Sequence, residues 1–289
     1  MRHEPFFLKH AVFTGEDFAR HLEKAGRKPG QTVGNVGVKE SLIGFNNSVG
    51  KGRRKESLLA YHLKAGRIVR VRRDLYATVP KGESPAQFLV DPYLIASKLA
   101  EGAVLSHHTA LDLHGRAYSF TGRLTYLAWK PTRPLVFQSN RFLGTKFPKA
   151  LMDAGQELVG TKVLDRQGQS VLVTTLERTL VDALDRPDLS GGWEEVWRSL
   201  ESVEYFDLDR VVEYALLLDN ATVAAKVGFF LEKRHDALFV TEDHLAPLRS
   251  RRPKQPHYME RSRREGRLVK AWNLVVPVNV LGETWGEIL

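Results

Sequence analysis

The segment Arg53-Arg-Lys-Glu-Ser-Leu-Leu-Ala-Tyr-His-Leu-Lys-Ala-Gly-Arg-Ile-Val-Arg-Val-Arg-Arg-Asp-Leu-Tyr-Ala-Thr-Val79 decides the fold of the N-terminal region. Leu58, Leu59 and Leu63 give its first half one apolar helical face, and the glycine that follows ends the helix. Its second half alternates apolar and polar residues, which predicts a β-hairpin with its turn at Arg72-Arg73-Asp74. A helix followed by such a hairpin is typical of a winged helix–turn–helix domain.

A shorter helix is predicted upstream of this segment. Thr14 can cap it, acidic residues occupy its first turn, and Phe18, Leu22 and Ala25 share one face. Residues 30–52 contain six glycines and are expected to form a loop. Two prolines and a glycine in residues 80–85 indicate a linker. We therefore predict a winged helix–turn–helix domain at residues 1–82.

The positive charge lies in this predicted domain. The formal net charge of the chain is +9, and residues 1–80 contain 16 Lys and Arg against 7 Asp and Glu, so the remainder is neutral. A basic helix start and a basic hairpin tip suit double-stranded DNA, with RNA as the competing ligand. We expect Arg53, Arg54, Lys55 and Ser57 to contact the groove. We expect the phosphates to be held by Lys51, Arg67, Arg70, Arg72 and Arg73.

The remaining residues, 83–289, are predicted to form a larger mixed α+β domain that could divide into residues 83–174 and 175–289. The whole chain is therefore assigned to the α+β class. Predicted helices are Asp91–Ala100, Ser106–Leu113, Leu176–Leu184, Trp193–Val203, Leu208–Leu218 and Ala221–Arg234. Predicted strands are Ala103–Leu105, Leu124–Trp129, Leu135–Gln138, Val159–Leu164, Ser170–Thr174 and Leu274–Val278.

Several chemistries are excluded or disfavoured. The chain has no cysteine, which removes disulfides, thiolate catalysis and cysteine-based metal sites and fits a reducing cytoplasm. It also has no apolar run long enough to span a membrane. Asp207-Leu-Asp209, His107 with His114, and Glu232-Lys233 resemble fragments of catalytic or metal-binding motifs, but each lacks the partners its chemistry requires. We predict no catalytic residue, no metal and no cofactor.

A second basic cluster runs from Arg249 to Lys270, with nine Lys and Arg and two Glu. Pro247, Pro253 and Pro256 indicate that much of it is loop. It could bind nucleic acid, bind an acidic partner, or form a solvated surface. These three interpretations remain open at the level of sequence.

Four motifs resemble, in the same order, those of the AbiEi-type antitoxin family. They are Leu63-Lys-Ala-Gly-Arg-Ile-Val-Arg-Val-Arg-Arg-Asp-Leu-Tyr76, Leu105-Ser-His-His-Thr-Ala-Leu-Asp-Leu-His-Gly115, Thr174-Thr-Leu-Glu-Arg-Thr-Leu-Val-Asp182 and Lys226-Val-Gly-Phe-Phe-Leu-Glu232. The resemblance covers most of the chain. Asp74 stands where the family usually has a hairpin glycine.

The resemblance implies a DNA-binding antitoxin of a type IV toxin–antitoxin pair. Such a protein represses its own operon by binding inverted repeats in the promoter. It is also implied to counteract a nucleotidyltransferase toxin without forming a stable complex with it. Two alternatives stay open: a standalone winged-helix transcriptional regulator without a toxin, and a DNA nuclease fused to a DNA-binding domain.

Overall fold

The computed structural model describes residues 11–26, 51–260, 262 and 265–282. Within them the chain is mixed α+β, with twelve α-helices and three β-sheets. It packs as two compact units. Unit 1 takes in the described residues up to Lys98 together with Asp165–Ser170, and unit 2 takes in Leu99–Leu164 and the described residues from Val171 onward. The predicted boundary between residues 82 and 83 stays a prediction.

Unit 1 has helices on one antiparallel sheet. The elements of unit 1 are β1 (Val12–Thr14), α1 (Gly15–Gly26), α2 (Lys51–Lys64), β2 (Ile68–Arg72), β3 (Leu75–Thr78) and α3 (Pro92–Lys98). The sheet order is β1-β3-β2, so the second strand of the hairpin lies between the first and β1. The two predicted helices and the hairpin are confirmed at these positions.

The start of α1 is fixed by its own side chains. The Asp17 amide donates to Thr14 Oγ1 (3.2 Å), and the Thr14 amide and hydroxyl donate to Asp17 Oδ2 (2.9 and 3.0 Å). These reciprocal bonds satisfy donors that a helix start leaves without intrahelical partners, as in a capping box. The predicted cap at Thr14 is therefore confirmed.

The turn of a distant hairpin completes unit 1. Gln169 donates its side-chain amide to the Val12 carbonyl (3.0 Å) and accepts from the Val12 amide (3.2 Å), so it pairs with β1 as a neighbouring strand would. Arg166 Nε donates to Asp91 Oδ2 (2.6 Å), and its guanidinium lies 4.3 Å from the centroid of the Tyr93 ring. Asp91 also caps α3, as predicted, by accepting from the Tyr93 amide (2.9 Å).

Unit 2 is built on a six-stranded sheet of order β6-β7-β5-β4-β9-β8. Strand β4 is antiparallel to β5 and parallel to β9, while β7 is parallel to β5 and antiparallel to β6. The sheet elements and the helices between them are β4 (Val104–Leu105), α4 (His108–Leu113), β5 (Arg123–Ala128), β6 (Leu135–Phe137), β7 (Asn140–Lys146), α5 (Lys149–Ala154), β8 (Thr161–Arg166) and β9 (Gln169–Thr174).

A helical layer follows and supplies most of the core. Its helices are α6 (Leu176–Asp185), α7 (Trp193–Glu201), α8 (Leu208–Leu217), α9 (Ala221–Lys233), α10 (His235–Leu238) and α11 (Glu242–Ser250). Three short strands and a last helix close the described chain: β10 (His257–Tyr258), β11 (Gly266–Val269), β12 (Leu274–Pro277) and α12 (Val278–Gly282), with strand order β10-β12-β11. The aromatic centre of this core is fully buried Trp197, which packs against Phe229 and Phe230.

Most predicted elements of unit 2 are confirmed, including the four helices from Leu176 to Lys233 and the strand at Leu274. The predicted N-cap at Asp207 is confirmed as well, because its carboxylate accepts from the Arg210 amide (3.2 Å). The sequence did not predict α5, β7, α10, α11, β10 or β11. None of the helices in the described ranges combines the length and the apolar character that crossing a membrane requires.

Candidate nucleic-acid interface

Helix α2 carries the predicted groove-contacting residues at its start. The backbone places Lys51, Arg53, Arg54 and Lys55 in its first five residues, and their side chains lie outside the described part of the structure. Ser57 is exposed. The four backbone amides that begin any helix have no intrahelical acceptor, and the macrodipole adds positive potential there. This end of α2 therefore favours an anionic ligand.

An aromatic and aliphatic core holds α2 against the sheet. Leu58 and Leu59 are buried in a cluster that also contains Phe13, Phe18, Ile68 and Tyr76. The Phe13 ring is stacked on the Tyr76 ring with centroids 5.8 Å apart. His62 is buried beside Phe18, and burial, together with the charge of Arg67, lowers the pKa of His62. The core thus fixes α2 relative to the hairpin, and the lowered pKa keeps His62 uncharged within that core.

The hairpin contains a bulge that the sequence did not predict. Arg70 pairs with Tyr76 and Arg72 pairs with Leu75, so Val71 is an extra residue in β2. Val71 and Leu75 are buried and Val69 is half-buried, so the apolar residues of the hairpin lie on or near the core side. The bulge shifts the pairing register of β2 with β3 by one residue after Arg70.

The bulge also separates the hairpin arginines. Arg70 and Arg73 are exposed, while Arg72 is half-buried. Asp74 closes the turn at φ 61°, a left-handed conformation that Asp adopts more readily than most residues. Arg67 is exposed and its guanidinium lies 5.6 Å from the Tyr61 ring centroid. Arg67, Arg70 and Arg73 are therefore the hairpin-side cations that a phosphate can reach directly.

In unit 2, the motif from Leu105 to Gly115 has a strained residue at its centre. Ser106 was predicted to cap α4, but His107 occupies the N-cap position, at φ 54° and ψ −132°, and makes no side-chain cap bond. Ser106 Oγ instead lies 2.9 Å from His107 Nδ1, and both residues are buried. Burial, with the charge of Arg186 adding to it, lowers the pKa of His107 to about 3. This imidazole is neutral at physiological pH.

The motif that begins at Thr174 encloses a buried ion pair. Arg178 donates to the carbonyl oxygens of Glu157 (2.7 Å) and Val159 (2.6 Å), and its Nε lies 3.3 Å from Asp182 Oδ2. Tyr214 donates to the other oxygen of Asp182 (2.8 Å). Arg178 is fully buried, and Asp182 and Tyr214 are nearly so. Since each of these bonds ends on a group of the protein itself, the motif joins α6 to α8 and to the turn before β8.

The residues that resembled catalytic fragments have structural partners. Glu232 accepts from the Trp272 indole (2.8 Å), and Asp209 lies 3.6 Å from His244 Nε2. His114 Nε2 lies 2.7 Å from the Thr174 carbonyl oxygen. Across the described ranges, no three His, Asp or Glu side chains converge to hold a metal ion.

The second basic cluster is partly neutralised. Arg249 pairs with Glu242, Arg251 pairs with Asp219, and Arg252 donates to the Ala271 carbonyl. Arg249 also lies over the Trp272 ring, with its guanidinium carbon 5.4 Å from the centroid. Arg261, Arg263 and Arg264 lie outside the described residues. The first arginines of the cluster thus hold α11 and the turns around it. Most of its described residues lie outside helices and strands, as predicted, and the exceptions are the end of α11, β10 and β11.

No protein-family model and no curated protein matches the sequence. Among solved structures, the chain is similar to the crystal structure of the Rv2827c protein from Mycobacterium tuberculosis. The two are 17% identical, the TM-score is 0.52, and the match covers 92% of this chain and 86% of that one. At this identity the likeness concerns the fold alone. The chain therefore shares its mixed α+β fold, over almost its whole length, with a protein of known structure.

Proposed function

We propose that unit 1 contains a winged helix–turn–helix domain that binds double-stranded DNA. The observation that carries the proposal is the passage from α2 through Gly66 into a hairpin that closes onto β1. In such domains the last helix enters the major groove by its N-terminal turn and the hairpin lies beside it. The basic first residues of α2 and the exposed Arg70 and Arg73 support this assignment.

We further propose that the chain is an antitoxin and autorepressor of a type IV toxin–antitoxin operon. Its operator would be an inverted repeat in its own promoter. Its functional partner would be a nucleotidyltransferase toxin that it counteracts without a stable complex. Support for this part comes from the four ordered sequence motifs. The third motif contains the buried Arg178–Asp182 pair, and the fourth lies within α9.

The DNA-binding part is tested by fluorescence anisotropy with the full chain and its own promoter duplex. Neutralising about six phosphates predicts a slope of log K against log salt of roughly −5. The double variant Arg70→Ala/Arg73→Ala should bind several-fold more weakly to all duplexes, with a shallower slope. Arg210→Ala removes an exposed arginine of α8, outside both basic clusters, and is the control. Unchanged binding by the double variant would show that the hairpin does not contact DNA.

The antitoxin part is tested by co-expression with the neighbouring open reading frame, scored as growth. Rescue of growth from a nucleotidyltransferase toxin supports the proposal. A chain that binds its promoter but rescues no toxin would be a standalone regulator. Metal-dependent cleavage of the promoter by the purified chain would instead make it a nuclease.

A further inference from the structure

A loop of unit 2 presents two aromatic rings to solvent. In this aromatic loop, residues 116–122, the Phe120 side chain is 80% exposed and Tyr118 is 56% exposed. The Arg198 guanidinium carbon lies 4.8 Å from the Tyr118 ring centroid. Contiguous exposed apolar patches mark interaction sites on soluble proteins, and two exposed rings two residues apart in one loop are a candidate for such a site. The chemistry around them indicates which ligand they suit.

The backbone of the aromatic loop is held rigidly from below. The Tyr118 amide donates to Ser199 Oγ (2.9 Å), and the amide and hydroxyl of Ser119 donate to the two oxygens of Glu195 (3.0 and 2.6 Å). His108 Nε2 lies 3.1 Å from the Ser119 carbonyl oxygen and 3.2 Å from Glu195 Oε1. Because these partners are buried, the loop backbone that carries the rings is fixed before any ligand arrives, which reduces the entropy lost on binding.

Three arginines around the loop retain their full charge. Arg116 donates to the Ser202 carbonyl (2.8 Å) and Arg123 to the Asp188 carbonyl (2.9 Å), so both are oriented by neutral oxygens. Arg141 is exposed, and its amide donates to the Gly122 carbonyl (2.7 Å). None of the three forms an ion pair within the ranges that the structure describes. Arg123 and Arg141 are register partners in the parallel strands β5 and β7, so they emerge on one face of the sheet.

The carboxylates nearby already have partners within unit 2. Glu195 is buried under four donors, Glu194 pairs with Arg198 (3.0 Å), and Asp188 receives two bonds from Arg186 (2.9 and 2.8 Å). Arg116, Arg123 and Arg141 are therefore cations near the rings that no described carboxylate pairs with. Flat apolar rings next to cations are the combination with which proteins bind unpaired bases and their phosphates.

We propose that the aromatic loop, with Arg123 and Arg141, binds a short stretch of single-stranded nucleic acid. One base stacks on Phe120 and a second on the free side of Tyr118. Arg123 and Arg141 contact the phosphates that flank them, and Arg116 adds positive potential. This site lies wholly in unit 2 and is independent of the duplex-binding surface proposed for unit 1.

The test measures fluorescence anisotropy of a labelled eight-nucleotide RNA, a DNA of the same sequence, and the promoter duplex. The variants are made in the full chain that already carries Arg70→Ala/Arg73→Ala, so that the hairpin contributes little to oligonucleotide binding. Phe120→Ala should weaken single-strand binding about 10-fold, and Arg141→Ala should weaken it several-fold while reducing the salt slope by about 0.7. In the otherwise unmodified chain, neither change should alter binding to the promoter duplex.

Two variants serve as controls for loss of an exposed ring or an exposed cation elsewhere in unit 2. Phe239→Ala removes a ring that is 85% exposed, and Arg210→Ala removes an exposed arginine outside both basic clusters. Both should retain single-strand affinity. Preference for either the RNA or the DNA strand supports the proposal. Wild-type affinity in Phe120→Ala and Arg141→Ala, or equal losses in the controls, would overturn it. The proposal would also be overturned if Phe120→Ala weakened the binding of a protein partner and left the affinity for both oligonucleotides unchanged.

Discussion

The indole of Trp272 packs so closely on the backbone of Gly228 in α9 that a Cβ at position 228 would overlap the ring. The same indole donates from Nε1 to Glu232 Oε2 (2.8 Å), one turn further along α9. Trp272 is fully buried. One side chain therefore fixes the turn between β11 and β12 onto two successive turns of the helix.

Gly228→Ala should lower the free energy of unfolding by roughly 1–3 kcal/mol, because the new methyl group forces the indole or the helix to move. In an unobstructed helix the same change would stabilise by up to about 1 kcal/mol. Urea denaturation at neutral pH measures the difference. Adding Trp272→Phe should make Gly228→Ala less damaging than it is alone, and a stabilised single variant would contradict the packing described.

Arg178→Ala should lower the free energy of unfolding by about 3–5 kcal/mol, because it leaves the Asp182 carboxylate buried without its cation. Tyr214→Phe removes one hydrogen bond to the same carboxylate and should lower it by about 1–3 kcal/mol. Arg210→Ala breaks an exposed pair with Asp207 and should change it by less than about 1 kcal/mol. Thermal denaturation of the three variants should reproduce this order, and equal losses would refute it.

Acid should destabilise unit 2 through His107. The folded-state pKa of His107 is lowered to about 3, so the unfolded chain binds its proton first as pH falls. Stability is therefore retained above about pH 6.5 and lost between about 6.5 and 3, with a slope of up to about 1.4 kcal/mol per pH unit. The pKa of His114 is also lowered and adds to this trend in unit 2, and the lowered pKa of His62 has the same effect on unit 1.

His107→Asn should flatten this dependence, because Asn tolerates a positive φ and does not titrate. Urea denaturation at pH 7 and pH 5 measures the slope. An identical loss of stability on acidification in the wild-type chain and the variant would assign the effect to other groups.

Gln169→Ala should destabilise unit 1, although Gln169 belongs to a distant part of the sequence. The change leaves the amide and carbonyl of Val12 without their buried partner, which costs about 1–3 kcal/mol. Ser170→Ala, at the neighbouring exposed position, should have little effect. Hydrogen exchange of the Val12 amide gives a local readout, and equal protection in both variants would contradict the pairing.

Local sequence patterns predicted helices and strands well where a single feature, such as an apolar face or a capping residue, was decisive. The apolar faces of α2 and α8 and the capping residues Thr14 and Asp207 are visible in the sequence alone. The hairpin was predicted, but its bulge was not. No residue type in the segment indicates that Val71 and Arg72 both oppose Leu75. Pro247 indicated a loop, yet α11 accommodates it near its end, where it lacks one helical bond.

The candidate surfaces were predictable only in part. The basic residues of α2 and the hairpin are evident from charge, and their role in DNA binding stays a prediction. The aromatic loop was not predicted, because its anchor, Glu195, lies 76 residues from Ser119 along the chain. Gln169 and Val12 are 157 residues apart. Contacts of that separation arise from topology, and local sequence contains no signal for them.

The assignment of Asp165–Ser170 to unit 1 changes how the chain can be cut. The polypeptide passes between the two units three times, after Lys98, before Asp165 and after Ser170. A protease acting once at residues 80–85 would therefore cut inside unit 1, and the rest of that unit, up to Lys98 and Asp165–Ser170, would stay covalently attached to unit 2. We expect limited proteolysis to yield nicked chains that migrate as one species under native conditions and separate only in denaturant.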